Sequence, residues 1–203
     1  MKELTQRSRM KAERRSQLVR AASRLFAERG FRAVSMEDLA AEAGVSGPAV
    51  YRHFASKEAL LADLLIDVSQ QLLEGGSQRA SAASQFESLR LLIAFHTEFA
   101  LRDRELIRIQ DHDFANLALD DARTVSRLQR AYLEVWVDVL RQIDTTLTES
   151  AARTKIQAVF GLLNSTPHSA SHRDIETTRS ILETMALDAL GVHSFVEHYS
   201  DRR

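Results

Sequence analysis

Apolar residues recur along the chain with helical spacing, and no stretch keeps the strict alternation of a strand. Leu18, Ala21, Ala22, Leu25 and Phe26 form the first stripe, on a helix that should start near residues 8–11 and stop at Gly30. Ser35 with Asp38 three residues on is a capping-box start for a second helix. Leu39, Ala43, Val45, Val50 and Phe54 are then spaced to pack on one another as two short helices joined by a tight turn. Gly44 sits where that turn needs positive φ or the absence of a Cβ. Ser46 should cap the second of these helices, with Gly47 and Pro48 in its first turn, and Ser56 should cap a fourth helix over 57–73. Gly75 and Gly76 are expected to end that helix, and 75–84 reads as a linker.

Further stripes predict a fifth helix (Phe86, Leu89, Leu92, Ile93, His96, Phe99, Ala100), a short sixth near 104–110 and a long seventh over 121–146. An eighth should span 149–164 and a ninth 174–190. The fold class expected is all-α: a three-helix head, residues 1–56, on a larger helical body, residues 57–203.

The surface left over in the two-helix unit is Ser46, Gly47, Pro48, Ala49, Tyr51, Arg52 and His53, with Lys57 just beyond. It is short, small-to-polar and able to enter a DNA major groove. Charge supports this reading. The net charge of −1 hides a division: residues 1–60 hold 12 Lys and Arg against 7 Asp and Glu, and the remainder 15 against 21. A basic head on an acidic body suits a protein that meets DNA with one end.

Lys57 is locally misplaced, because a cation in the first turn of a helix opposes the macrodipole by roughly 0.3–1 kcal/mol. Holding a DNA phosphate, together with the free N–H groups of that helix start, would explain it. Arg52 can read a base or hold a phosphate. Arg7, Arg9, Lys11, Arg14 and Arg15 make a basic arm, which either solubilises the chain or follows the DNA into its backbone or minor groove.

Residues 31–36 (FRAVSM), Leu39-Ala40, Ala43-Gly44-Val45, Tyr51-Arg52-His53-Phe54, Ser56-Lys57-Glu58 and Leu60-Leu61 carry a specific resemblance, which reaches back to 25–30 (LFAERG). Over about the first 65 residues the chain resembles the TetR family of bacterial transcriptional regulators. The resemblance implies phosphate contacts from Ser35, Tyr51, His53 and Lys57. Glu37 departs from relatives with a basic residue there, so no base code is carried over. It also implies a repressor released from a palindromic operator by a small-molecule effector, a ligand cavity among the body helices, and a homodimer built from the last two helices.

Aromatic and polar residues of the body supply candidates for that cavity: Phe95, His96, Phe99, Gln110, Phe114, Trp136, Phe160 and Asn164. The dimer face expected is Ile156, Phe160, Leu163, Ile181, Leu182, Met185 and Ala189. Residues 136–140 and 161–168 loosely resemble members tied to lipid or acyl-CoA catabolism. Arg102, Arg104, Arg108, Arg123, Arg127 and Arg130 could meet the phosphates of such a ligand.

Other chemistry is poorly supplied. Cysteine is absent, which removes disulfides, thiolate metal sites and cysteine nucleophiles. Asp111, His112 and Asp113 are neighbours on a helix and cannot all converge on a metal. No catalytic spacing, cofactor motif or membrane-length apolar run of about 18 residues is present. The expectation is a cytoplasmic regulator with neither enzyme activity, metal nor cofactor. Its competitors are an activator or ligand-independent regulator with the same head, and a helical enzyme or scaffold that carries it.

Overall fold

The computed structural model describes residues 6–169 and 174–192. Among them every regular element is helical. Ten α-helices follow in order: α1 (Gln6–Arg29), α2 (Met36–Glu42), α3 (Gly47–Tyr51), α4 (Lys57–Arg79), α5 (Gln85–Arg102), α6 (Arg104–Asp113), α7 (Leu119–Ile143), α8 (Glu149–Leu163), α9 (Thr166–Ser169) and α10 (Ile175–Leu190). Single 3₁₀ turns lie at Phe31–Ala33 and Phe114–Asn116. No helix among the described residues is long and apolar enough to cross a membrane. Of the stretch left between the expected eighth and ninth helices, residues 170–173 lie outside the described residues.

The chain forms two compact units. One joins Met1–Val68 to Glu105–Val125; the other joins Ser69–Arg104 to the residues from Ser126 onward. The first unit closes around Leu18, Leu25, Phe26, Leu39, Val50, Phe54 and Leu61, and it takes in Ile109 and Val125 as well. The sixth helix was expected in the body, yet its apolar residues belong to the core of this unit. Phe31 marks the same association, because its N–H donates to the buried Asp113 carboxylate at the end of α6 (3.4 Å).

Local signals in the head act as their chemistry requires. Gly30 and Gly44 adopt positive φ, 78° and 63°. The Gly44 turn ends α2 with Val45 N–H bonded back to Ala40 O (2.9 Å). The Ser35–Asp38 capping box is complete, and Ser56 Oγ accepts from Ala59 N–H (3.2 Å). Ser46 occupies the N-cap position of α3 without a side-chain capping bond. The reason is local. Pro48 has no N–H to offer, and the next amide, Ala49, already donates to the Ser46 carbonyl (2.8 Å).

The second unit closes around Leu89, Leu92, Ile93, Tyr132, Trp136, Leu140, Ile156, Val159, Leu163 and Ala186. Within it α10 packs on α5 and α8. Here the reading of Gly75-Gly76 as a helix end is corrected: α4 continues to Arg79. A Cβ at Gly75 would collide with Phe95 Cζ, and one at Gly76 with Tyr132 Cε2. These glycines are tolerated inside a helix because two aromatic rings lie directly against its backbone. Arg79 then covers Phe95, its guanidinium 3.9 Å from the ring centroid.

Candidate functional site

The DNA-facing candidates gather on one side of the first unit. Tyr51 is 53% exposed. Ser46, Pro48 and Arg52 are exposed, and Gly47, Ala49 and His53 are half-buried. α3 is a single turn and a half, so Arg52 and His53 lie in the turn beyond it rather than on it. Val50 and Phe54 hold this segment from below, both buried. Arg15 braces it from α1, with its guanidinium 5.1 Å from the Phe54 ring centroid and paired with Asp63 of α4.

Two candidates differ from expectation. Lys57 turns its ammonium inward: Nζ donates to Phe31 O (2.8 Å) and Val34 O (2.7 Å) and lies 4.4 Å from the Phe31 ring centroid. These carbonyls belong to the first residue of the 3₁₀ turn ahead of α2 and to the residue that caps its end. The misplaced cation is therefore compensated within the chain, and one of its three N–H groups remains for an outside partner. Ser35 is likewise engaged. Its hydroxyl donates to Asp38 Oδ2 (2.6 Å) and accepts from Asp38 N–H (3.0 Å). These bonds from Ser35 hold the Asp38 carboxyl below its usual range, so the Ser35 hydroxyl sits beside a negative charge.

An open cleft of about 640 Å³ runs between α1 and the α2–α3 turn and recognition segment. Lys11, Arg14, Arg52 and His53 contribute to its lining. Arg9 is exposed; the Arg7 side chain lies outside the described residues.

In the second unit five of the eight effector candidates come together. His96 is 3% exposed at the centre. Phe160 stacks on it (centroids 4.8 Å apart, planes at 11°), and Phe99 and Trp136 meet it edge-on. Its Nδ1 lies 3.2 Å from Tyr132 Oη and its Nε2 3.0 Å from Asn164 Oδ1. The amide oxygen can only accept, so Nε2 carries the proton and Nδ1 accepts from the tyrosine. Burial pushes the His96 pKa down to about 4, opposed only by the Asn164 bond, and burial pushes Tyr132 up. The imidazole is neutral.

Phe95 stands apart under Arg79. Gln110 and Phe114 do not join the cluster, because they lie in the segment that folds with the first unit. Tyr132 is a further member that was not among the candidates. Its pairing with His96 leaves no local trace in sequence, the two being 36 positions apart on different helices.

The dimer candidates divide. Ile156 and Leu163 are wholly buried and Leu182 is 8% exposed, all in the chain's own core. Within the single chain these stripes of α8 and α10 pack on their own unit. Phe160 is half-buried against His96. Ile181 (52%), Met185 (46%) and Ala189 are exposed on α10, as are the small residues Ala151, Thr154, Ala158 and Gly161 on α8.

Among the described residues no group of three potential ligands could hold a metal. Asp111 and His112 face solvent while Asp113 is turned to Phe31.

The model of bacterial regulatory proteins of the tetR family matches residues 18–64, and that of the tetracyclin repressor-like C-terminal domain matches residues 82–168. The HTH-type transcriptional repressor KstR2 of Rhodococcus jostii is 31% identical over 134 residues, 64% of this chain and 65% of that protein. The chain thus spans about 65% of the length of that curated relative. The structure of the ketosteroid transcriptional regulator KstR2 of Mycobacterium tuberculosis superposes with a TM-score of 0.71 at 26% identity, covering 88% of this chain and 93% of that one. FadR from Bacillus subtilis, solved in complex with stearoyl-CoA, shares the fold at a TM-score of 0.69 and 19% identity, covering 86% of this chain and 98% of that one. With a helix-turn-helix unit and a helical second unit each matched by its own model, the chain belongs to the TetR family of bacterial regulatory proteins.

Proposed function

We propose that this protein is a cytoplasmic, sequence-specific DNA-binding transcriptional repressor, without enzyme activity, that acts as a homodimer and leaves a palindromic operator when a small-molecule effector binds. Residues 1–56 carry DNA recognition, and residues 57–203 carry effector binding and dimerisation. The observation that carries the reading is the α2–turn–α3 unit. It buries Leu39, Val50 and Phe54 and presents Ser46, Gly47, Pro48, Ala49, Tyr51, Arg52 and His53 outward. Gly47, Pro48 and Ala49 are slim enough for backbone and methyl contacts in a major groove, and Arg52 is the one long bidentate donor beside them. Tyr51, His53 and the remaining N–H of Lys57 supply phosphate contacts, whereas both donors of Ser35 are taken by Asp38.

Two copies of α3 must stand about 34–36 Å apart to enter successive major grooves. The exposed stripe Ile181, Met185 and Ala189 on α10, with the small-residue face of α8, supports dimerisation through these helices. KstR2 of Rhodococcus jostii is a transcriptional repressor, in keeping with this reading.

The chemistry around His96 narrows the effector. Phe99, Trp136 and Phe160 offer apolar surface. The polar chain Tyr132–His96–Asn164 is neutral, with the imidazole at a pKa of about 4. Such a site accepts a neutral carbonyl or hydroxyl and rejects a buried carboxylate. An acyl thioester such as an acyl-CoA fits better than a free fatty acid, its phosphates remaining with surface arginines.

Selection of duplexes from a random library with the full chain tests DNA recognition directly. A palindromic consensus supports the reading, and failure to enrich any sequence refutes it. Native mass spectrometry with matched acyl-CoA and free-acid series tests the effector class. Binding of the free acids but not of the thioesters would rule out the neutral-headgroup argument.

A further inference from the structure

The basic cleft of the first unit holds a combination that DNA contact alone does not explain. One wall is Met10, Lys11 and Arg14 of α1; the other includes Ala49, Arg52 and His53. Among the described residues no carboxylate lines it. Arg15, one residue on from Arg14, is already paired with Asp63. His53 is half-buried, and its Nδ1 is shielded from solvent without a hydrogen-bond partner. Of the groups in the cleft, only this imidazole can change its charge near neutral pH.

Before anything binds, two effects hold His53 neutral. Burial comes first; the positive charges of Lys11, Arg52, Arg15 and Arg14 follow, and together they lower its pKa below the ordinary value of 6.5. An anion seated between the walls reverses the second effect. It offsets the surrounding cations and itself favours an imidazolium.

We propose that this cleft seats one backbone phosphate of duplex DNA, and that His53 takes up a proton as the phosphate enters, so that DNA affinity rises as pH falls. The proposal rests on the DNA-binding reading above. Linkage fixes its sign. His53 has a depressed pKa in the free protein and a higher one in the complex. Above the higher value neither form is protonated, and below the lower value both are. Between them binding consumes a proton, with affinity changing by at most about tenfold per pH unit per subunit. Lys11 and Arg14 also belong to the phosphate seat, which places the start of α1 along the backbone rather than in a minor groove.

The test uses the full chain and a fluorescent duplex recovered by selection from a random library. Anisotropy from pH 5.5 to 8 at constant ionic strength reads affinity. Calorimetry in two buffers of different protonation enthalpy reads proton uptake. Wild type should bind more weakly as pH rises and give heats that differ between buffers. His53→Gln should bind more weakly with a flat pH profile and equal heats. Equal heats for wild type, or pH dependence that survives in His53→Gln, overturns proton uptake. The Lys11→Ala/Arg14→Ala double variant should lower the salt slope by up to about 0.9 per subunit, the share of one phosphate, without changing base preference. An unchanged slope overturns the seat. If no duplex is recovered at any pH, the DNA-binding reading fails first and the proposal falls with it.

Discussion

Removing the ammonium of Lys57 should unfold the chain more easily before it alters any DNA contact. Lys57→Met keeps most of the stem and deletes the charge. The wild-type ammonium donates to Phe31 O at 2.8 Å and to Val34 O at 2.7 Å, and it lies over the Phe31 ring. A hydrogen bond from a charged donor contributes about 1.5–3 kcal/mol, and a cation over a ring about 0.5–1 kcal/mol where solvent reaches it. Lys57 is half-buried, so water can rescue one carbonyl, and the lower end applies. The expected loss is about 2–3 kcal/mol. For a chain of this size each kcal/mol moves Tm by about 2–4 °C, which gives a fall of roughly 5–10 °C. Urea titration followed by circular dichroism measures the loss, and calorimetry measures Tm. The outward N–H makes a second, separable claim. At salt concentrations where the variant is folded, its salt slope should fall by about 0.9 per subunit. A midpoint within about 0.5 kcal/mol of wild type would falsify the internal anchor. Reduced stability with an unchanged slope would leave the anchor standing and remove the phosphate contact.

Three further outcomes follow from the second unit. Gly76→Ala should cost about 1–3 kcal/mol despite its better helix propensity, because the new methyl meets the buried Tyr132 ring. Gly75→Ala should cost less, since Phe95 is half-buried and can swing; the reverse order in urea titrations would contradict this packing account. Stability should fall as pH drops from 6.5 toward 4, by up to roughly 3 kcal/mol from His96 alone, because the unfolded chain binds a proton that the buried imidazole refuses. His96→Gln should lose this part of the acid slope, and an identical slope in both proteins would rule out His96 as its source. Met185→Arg, at a side chain 46% exposed in the single chain, should leave the fold intact and convert a dimer to monomer in sedimentation at micromolar concentration; an unchanged mass would exclude this stripe as the interface.

What can be read in such a sequence depends on the range of the interaction. The capping box at Ser35 and Asp38, the positive φ at Gly44 and the stripe through Leu18 and Phe26 are set within a few residues. Each is legible because its cause and its effect share a window. Gly75-Gly76 shows how that logic fails. Read locally, two glycines end a helix; in the fold they admit Phe95 and Tyr132, rings from 20 and 56 positions away. Lys57 fails in the same way. Its conflict with the helix dipole is visible in sequence, but the carbonyls that resolve it lie on residues 31 and 34. His96 was singled out as a polar residue on an apolar face. Its partners Tyr132 and Asn164 belong to other helices and become neighbours only by packing.

The dimer residues expose the deepest ambiguity. A stripe such as Ala152, Ile156, Val159 and Leu163 says that one face of α8 is buried, but periodicity is silent on what covers it. Here the chain's own α5 and α10 lie against α8. The face of α8 left exposed is the less conspicuous one: Ala151, Thr154, Ala158 and Gly161, which together bring little apolar area. In the proposed dimer, hydrophobicity ranks the two faces in the wrong order. A helix in a single-chain core gains most from large side chains, whereas two helices meeting across a symmetry axis gain most from close backbone approach. On α10 the order is different, because Ile181 and Met185 remain large and exposed. Large residues on one helix and small ones on the other are complementary shapes, and a two-fold axis can pair each face with its opposite in the second copy. The stripe most useful for recognising the fold is therefore not the one that would bring two copies together.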